Sequence, residues 1–241
     1  MKRTNISILL AGTLSLMTTV SAQNEADSDK WSGSASLGGI VTSGNTDNQS
    51  ITGSLGISRR SGDNAHNLFG SIYRAETDDV DTADRSELGY SFDRYFDDPL
   101  FWFGRLRYDT DEFSNIDSRT SVVAGMGSTF FHNDTHTLTG RGGVGFGATE
   151  FVDGAEEDDG TVVFAGFEYK AKLGDALSFH SNLTTELSIN SLTIWDSSLR
   201  YSVSERFSVS LGYLRRDNGD TEGALGETVD TITSLNLIYG I

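Results

Sequence analysis

Apolar residues recur at every second position over most of this chain. From Trp31, the residues Trp31, Gly33, Ala35, Leu37, Gly39 and Val41 share one phase, while Ser32, Ser34, Ser36 and Gly38 share the other. A period of two sends successive side chains to opposite faces of a strand, so the run reads as a strand with one apolar and one polar face. A break at 42–49 (TSGNTDNQ) is followed by Ile51, Gly53, Leu55 and Ile57 opposite Ser50, Thr52, Ser54 and Ser58, which completes a hairpin. A chain that repeats this unit must find a partner for every strand edge.

The unit repeats to the last residue. Leu88, Tyr90, Phe92 and Phe96 oppose Glu87, Ser91 and Asp93; Trp102, Gly104, Leu106 and Tyr108 oppose Arg105, Arg107 and Asp109. Val122, Ala124, Met126 and Phe130 come next, then Leu138 to Ala148 in steps of two with Arg141 on the other face. Val163, Ala165, Phe167, Tyr169 and Ala171 oppose Glu168, Lys170 and Lys172; Leu177, Phe179, Leu183 and Leu187 oppose His180 and Glu186. Trp195, Leu199, Tyr201 and Val203 oppose Asp196, Ser198 and Arg200, and Phe207, Val209, Leu211 and Tyr213 lead to a last strand at 229–241. The third strand is less regular. Keeping Arg74 off the lipid face puts Phe69, Ser71, Tyr73 and Ala75 outside and leaves Leu68 and Ile72 inside.

That makes twelve strands, and their connections alternate in character. Those at 42–49, 76–84, 112–117, 152–160, 190–191 and 217–227 are mostly long and acidic; those at 61–64, 97–100, 132–136, 174–175 and 204–206 are short, and the single proline, Pro99, stands in one of them. Long loops at one end and short turns at the other, with both termini at the short end, is the pattern of an outer-membrane barrel. The expected fold is all-β: a twelve-stranded antiparallel transmembrane β-barrel with short periplasmic turns and longer acidic extracellular loops. Trp31, Trp102, Tyr169, Phe207 and Tyr239 fall near strand ends, where an aromatic girdle belongs. A periplasmic β-sandwich is the alternative, and unbroken alternation over so many strands suits it poorly.

Composition fits a barrel without demanding one. The hydrophobic fraction is 37% with 27 glycines and no cysteine, as expected when only alternate residues meet lipid. Lys2 and Arg3, an apolar stretch at 6–17 and Val20-Ser21-Ala22 make residues 1–22 a secretory signal peptide, leaving 23–241 as a single barrel domain. Removing Lys2 and Arg3 takes the formal net charge from −17 to −19. Such a surface excludes nucleic acid as a partner, because phosphate contacts need clustered Lys and Arg. The partners expected instead are outer-membrane lipid and lipopolysaccharide, for a monomer that carries no cofactor.

The segment 229–241 (VDTITSLNLIYGI) resembles the C-terminal strand by which barrels of the outer membrane are recognised by the barrel-assembly machinery. Leu235, Leu237, Tyr239 and Ile241 would carry that assembly signal, with Ile241 where an aromatic residue is usual. Trp31-x-Gly33 running into Ser43-Gly44-Asn45-Thr46-Asp47, then Tyr108-Asp109 to Phe113, Asp117-x-Arg119, Gly125 and Gly127, resemble the salt-induced outer-membrane protein family over essentially the whole mature chain. The resemblance implies a Gram-negative outer-membrane barrel and a link to salt or osmotic stress; it brings no substrate and no catalytic residues.

The inward charges are the main functional candidates. Arg105, Arg107, Asp109, Arg141, Glu168, Lys170, Lys172, Glu186 and Arg200 should line the lumen. Eight strands fill their interior with side chains and sixteen leave a channel, so twelve lies between. These charges either pair into a plug or line a narrow pore for small hydrophilic solutes or ions. If Arg105, Arg107, Arg141, Lys170 and Lys172 form one positive wall, anions are preferred. The alternative is a plugged structural or adhesive barrel that acts through its acidic loops. Asp153, Glu156, Glu157, Asp158 and Asp159 are weak candidates for a hard cation, since their spacing matches no known cation loop. A hydrolase is not expected: His180 and Glu186 would stand about 20 Å apart along one strand, and no triad forms. Gly142, Gly143, Gly145 and Gly147 imitate a phosphate loop, but no helix follows, so they read as strand glycines that admit large neighbours.

Overall fold

The computed structural model describes residues 29–42, 48–97, 99–154, 158–188, 190–219 and 229–241. The signal peptide, the loop tip Gly44 to Asp47 and the candidate ligands Glu156 and Glu157 lie outside them. Among the described residues the chain forms twelve strands and one 3₁₀ turn: β1 (Trp31–Thr42), β2 (Asn48–Ser61), β3 (Asn64–Thr77), β4 (Val80–Asp97), β5 (Leu100–Asp111), the turn Glu112–Ser114, β6 (Ile116–His132), β7 (His136–Phe151), β8 (Asp158–Lys172), β9 (Leu177–Leu187), β10 (Leu192–Ser202), β11 (Phe207–Asp217) and β12 (Val229–Gly240). Each strand pairs antiparallel with its neighbours in sequence, and β12 returns to β1 to close the barrel. The twelve-stranded expectation is met.

Closure is thin at one place. The β1–β12 register runs from Ser34 opposite Gly240 to Leu37 opposite Leu237, whereas β1 pairs with β2 along its whole length, from Trp31 opposite Arg59 to Thr42 opposite Asn48. The last residue completes the closure: Ile241 N donates to Gly33 O at 2.8 Å and Gly33 N donates back to Ile241 O at 3.1 Å.

The outer face is apolar because the alternation puts it there. Leu37, Leu88, Val122, Val144, Leu211 and Leu237 are all exposed on it. A belt of this kind running round a whole molecule requires lipid. At the end carrying both termini the belt finishes in aromatic pairs, Phe207 on Tyr239 at 5.1 Å, Phe96 on Trp102 at 6.0 Å and Tyr169 on Phe179 at 6.3 Å between ring centroids. Each pair sets a Phe against a Tyr or Trp, whose apolar body and polar tip suit that membrane–water boundary.

Two expectations are corrected. On β3 the phase is reversed: Leu68 and Ile72 are exposed on the outer face, while Phe69 and Tyr73 line the interior. Arg74 does face outward, near the strand end, and its charge is met by Asp84 at 3.1 Å across the hairpin. A charged residue at a strand end lies at the level of water and headgroups, so it need not turn inward. The break expected at 76–84 is also much shorter. Asp78 and Asp79, with φ of 50° and 63°, make a two-residue turn, and Val80 already begins β4. Two consecutive left-handed residues match the right-handed twist of the strands they join. At the other end, Asn133 Oδ1 accepts the amides of Thr135 (3.0 Å) and His136 (2.7 Å) in a similarly compact turn.

Candidate functional site

The same alternation that faces apolar residues to lipid delivers the charged ones to the lumen. Asp109 on β5 is fully buried, and three guanidiniums converge on it: Arg107 at 3.0 Å, Arg119 from β6 at 2.8 Å and Arg216 from β11 at 2.6 Å. In the ring, β5 and β11 are six strands apart either way round, so the Asp109–Arg216 bond bridges the lumen. Glu87 accepts from Arg107 Nε at 2.8 Å. Arg85 donates to Asp111 at 2.9 Å and to Asp230. Asn218 ties the group together: it donates to Asp111 at 3.2 Å and accepts from Arg119 at 3.0 Å and Arg216 at 3.3 Å. Four guanidiniums thus face Glu87, Asp109, Asp111 and Asp230. Each charge of this group meets at least one of opposite sign, as charges removed from water require, although Arg107 Nη1 and Nη2 and Arg119 Nη1 are left without a hydrogen bond among the described residues.

Nearer the middle of the barrel, part of the lumen is apolar. Phe101, Phe103, Val123, Val162 and Phe164 form a buried cluster, carried on the inward phase of β5, β6 and β8. Glycines on the neighbouring strands make room for it. A Cβ on Gly127 would stand 2.2 Å from Phe101, and one on Gly143 would stand 2.9 Å from Phe103 and 3.0 Å from Val123. Toward the terminal end a second ionic group follows, with Arg141 donating to Asp93 at 2.9 Å and Lys170 bonded to Glu168 at 2.7 Å. Arg141 also lies over the Phe101 ring at 5.0 Å.

Between these groups the barrel holds a cavity of about 220 Å³. Arg105, Arg141, Glu168, Lys170 and Asp196 line it, among polar Ser, Thr and Asn side chains and the rings of Phe69 and Phe164. Glu186 is buried, 3.9 Å from Arg107. Arg200 is buried, whereas Lys172 is exposed at the rim. The basic residues do not make an unbroken positive wall, because Glu168 stands between Arg141 and Lys170, at 4.0 and 2.7 Å. Arg85, Asp111, Arg119, Asn218 and Asp230 are the members of the bridging group that sequence reasoning did not place in the lumen. Their signal was phase: Asp111 follows Asp109 by two, and Asp230 sits on the polar face of the last strand.

The remaining candidates are dispersed. Asp153 lies in the turn after β7, while Asp158 and Asp159 open β8, where Asp158 accepts from Asn190 at 3.1 Å. Among the described residues no group of three or more His, Cys, Asp or Glu gathers as a metal site. Leu235, Leu237, Tyr239 and Ile241 face outward in a row.

A family model described as "Protein of unknown function, DUF481" matches residues 35–241. The uncharacterized protein YdiY of Escherichia coli strain K12 is 22% identical over 209 residues, which cover 87% of this chain and 82% of that protein. Among solved structures, an outer-membrane channel from Pseudomonas putida F1 matches with a TM-score of 0.55 at 9% identity, over 91% of this chain and 100% of its own. The NanC porin matches over 86% of this chain and 97% of its own at 11% identity, with a TM-score of 0.48. At such identities the likeness is one of fold. Closed antiparallel strands, a lipid-facing belt and that fold together place the molecule in the bacterial outer membrane.

Proposed function

The chain belongs to the DUF481 family, and from that footing we propose that it is a narrow channel for small hydrophilic solutes or ions, held shut in this conformation by side chains. The observation that carries the reading is the Asp109–Arg216 bond of 2.6 Å, a side-chain bridge between opposite walls beside a polar-lined cavity. Side chains change rotamer far faster than backbone refolds, so an obstruction of this kind can open without dismantling the wall.

Arg216→Met is the informative variant. It removes the Asp109–Arg216 bridge while leaving Asp109 with Arg107 and Arg119, and Asp111 with Arg85; because Asn218 still bonds Arg119 and Asp111 across the lumen, it is combined with Asn218→Ala. In planar bilayers the wild type should give brief, small current steps, and the double variant should give longer or larger ones. Silence from both, with heat-modifiable migration showing that both are folded, would overturn the channel reading. It would leave the plugged structural or adhesive barrel, which the balanced charges around Asp109 favour. Any anion preference would rest mainly on Arg105, since Arg107, Arg141 and Lys170 each have a carboxylate within 3.0 Å. The link to salt or osmotic stress belongs to the same proposal, and protein levels compared across graded salt would test it. We assign the barrel no catalytic step.

A further inference from the structure

We infer that the lumen cavity is a binding site for a small zwitterion, whose anionic end meets Arg105 and whose cationic end meets Asp196. The inference rests on the channel reading for the route by which a solute enters, and on the cavity's own chemistry for the ligand. Most of the charges that line this cavity are satisfied within the wall. Arg85 has Asp111 and Asp230, Glu87 has Arg107, Arg141 has Asp93, Lys170 has Glu168 and Arg216 has Asp109. Two remain. Arg105 makes no ion pair among the described residues, and its Nε is buried without a hydrogen-bond partner. The carboxylates that act on it, Glu186 and Glu87, are both engaged by Arg107. Asp196 is 7% exposed, likewise makes no ion pair among the described residues, and its Oδ1 has no partner. Arg200, four residues along β10, acts on it electrostatically, but it lies beyond ion-pair distance and is not among the cavity's lining residues, so the carboxylate keeps no direct ion-pair partner among the described residues.

These two leftover charges are of opposite sign and stand on β5 and β10, five strands apart around the ring. A charge held away from water without a partner costs several kcal/mol, so each favours a counter-charge. A simple anion would satisfy Arg105 and leave Asp196 unmet; a simple cation would do the reverse. One molecule with a carboxylate and an ammonium satisfies both and adds no net charge. Arg105 is already held for this task, its guanidinium lying over Phe69 at 5.7 Å and Phe164 at 5.2 Å, so its planar fork is presented with little freedom left to lose. The volume of about 220 Å³ exceeds the roughly 150 Å³ of a cavity known to hold benzene, which sets the ligand at amino-acid size rather than oligomer size.

The purified full barrel in detergent can be titrated calorimetrically with glycine, 4-aminobutyrate and 6-aminohexanoate, a series that works as a ruler between the two charges. Butyrate and butylamine are the single-charge controls. One member of the series should bind about ten-fold more tightly than either control, a difference of about 1.4 kcal/mol. Arg105→Gln and Asp196→Asn should each reduce it to the level of the controls while keeping heat-modifiable migration. Butyrate binding as tightly as the best zwitterion, or no zwitterion exceeding the controls, would overturn the inference in the wild type alone, whatever the variants do. Binding without current in bilayers would sink the channel reading and leave the site standing; current without binding would do the opposite.

Discussion

At Asp109 one carboxylate meets three guanidiniums at 3.0, 2.8 and 2.6 Å in a setting that excludes water. Removing a single partner from such a group is costly because the charges left behind are buried and unmatched. Asp109→Ala should therefore destabilise the folded barrel by about 3–5 kcal/mol, read as a shift in the urea midpoint for unfolding from lipid bilayers. Asp109→Asn should cost less, since an amide oxygen still accepts from Arg119. A different mechanism governs Gly127, where any side chain meets Phe101 at 2.2 Å. Gly127→Leu should cost about 1–3 kcal/mol by overpacking in the same assay. The sequence marked Arg105, Arg107, Asp109, Arg141 and Lys170 as inward, because phase alone decides that. It could not show which acid meets which base, since Asp109 and Arg216 are 107 positions apart and meet only when the ring closes. The apolar cluster was legible in principle: Phe101 and Phe103 occupy the inward phase of β5, and Gly125, Gly127, Gly143 and Gly145 occupy the inward phase of β6 and β7.

Among the strands, clean alternation gives the correct phase, and β3 lacks it. There the sequence offers Leu68, Phe69, Ile72 and Tyr73 in both phases, so one charged residue decided the reading, and Arg74 lies too near the strand end to decide it. The acidic stretch after β3 reads as a loop because Asp is poor in strands; Asp81 and Asp84 are tolerated at the outer end of the hairpin, where Asp84 holds Arg74. The short β1–β12 register has its own consequence. Hydrogen exchange in detergent should be fastest in β1 and β12 and slowest in β6 and β7, whose pairing runs from Ile116 opposite Phe151 to His132 opposite Thr137. Uniform protection round the ring would contradict this. Tyr239→Asp, on the same closing strand, removes the ring packed on Phe207 and places a charge near the membrane boundary. A cost of up to about 1 kcal/mol is expected for a charge at that depth. If the assembly machinery reads this strand, the loss of inserted protein in cells should exceed what that cost alone predicts.

Over the whole molecule, charge is sorted by place. The wall and lumen hold basic and acidic groups in near balance, so the mature chain's formal −19 must lie chiefly in its ends and connections. At the end with odd-numbered connections, Asp78, Asp79, Glu112 and Asp153 stand in turns, alongside Glu156 and Glu157 in the sequence. The end carrying the termini mixes signs, with Arg59, Arg60, Arg94 and Arg206 near Asp63, Asp175 and Glu205. That asymmetry is the ground for expecting the termini in the periplasm. Because the chain has no cysteine, single introduced thiols can test this directly. Val152 is the better position on the odd side, being 52% exposed, whereas Gly154, two residues on, has a φ of +76° that a cysteine would adopt only with strain. Asp175 serves on the other side, exposed in the turn between β8 and β9. A maleimide carried on a polymer too large for any porin should label Val152→Cys on intact cells. It should reach Asp175→Cys only after the outer membrane is permeabilised. Labelling of Asp175→Cys alone on intact cells would mean the reverse orientation, and equal labelling of both would mean that neither end is shielded by a membrane.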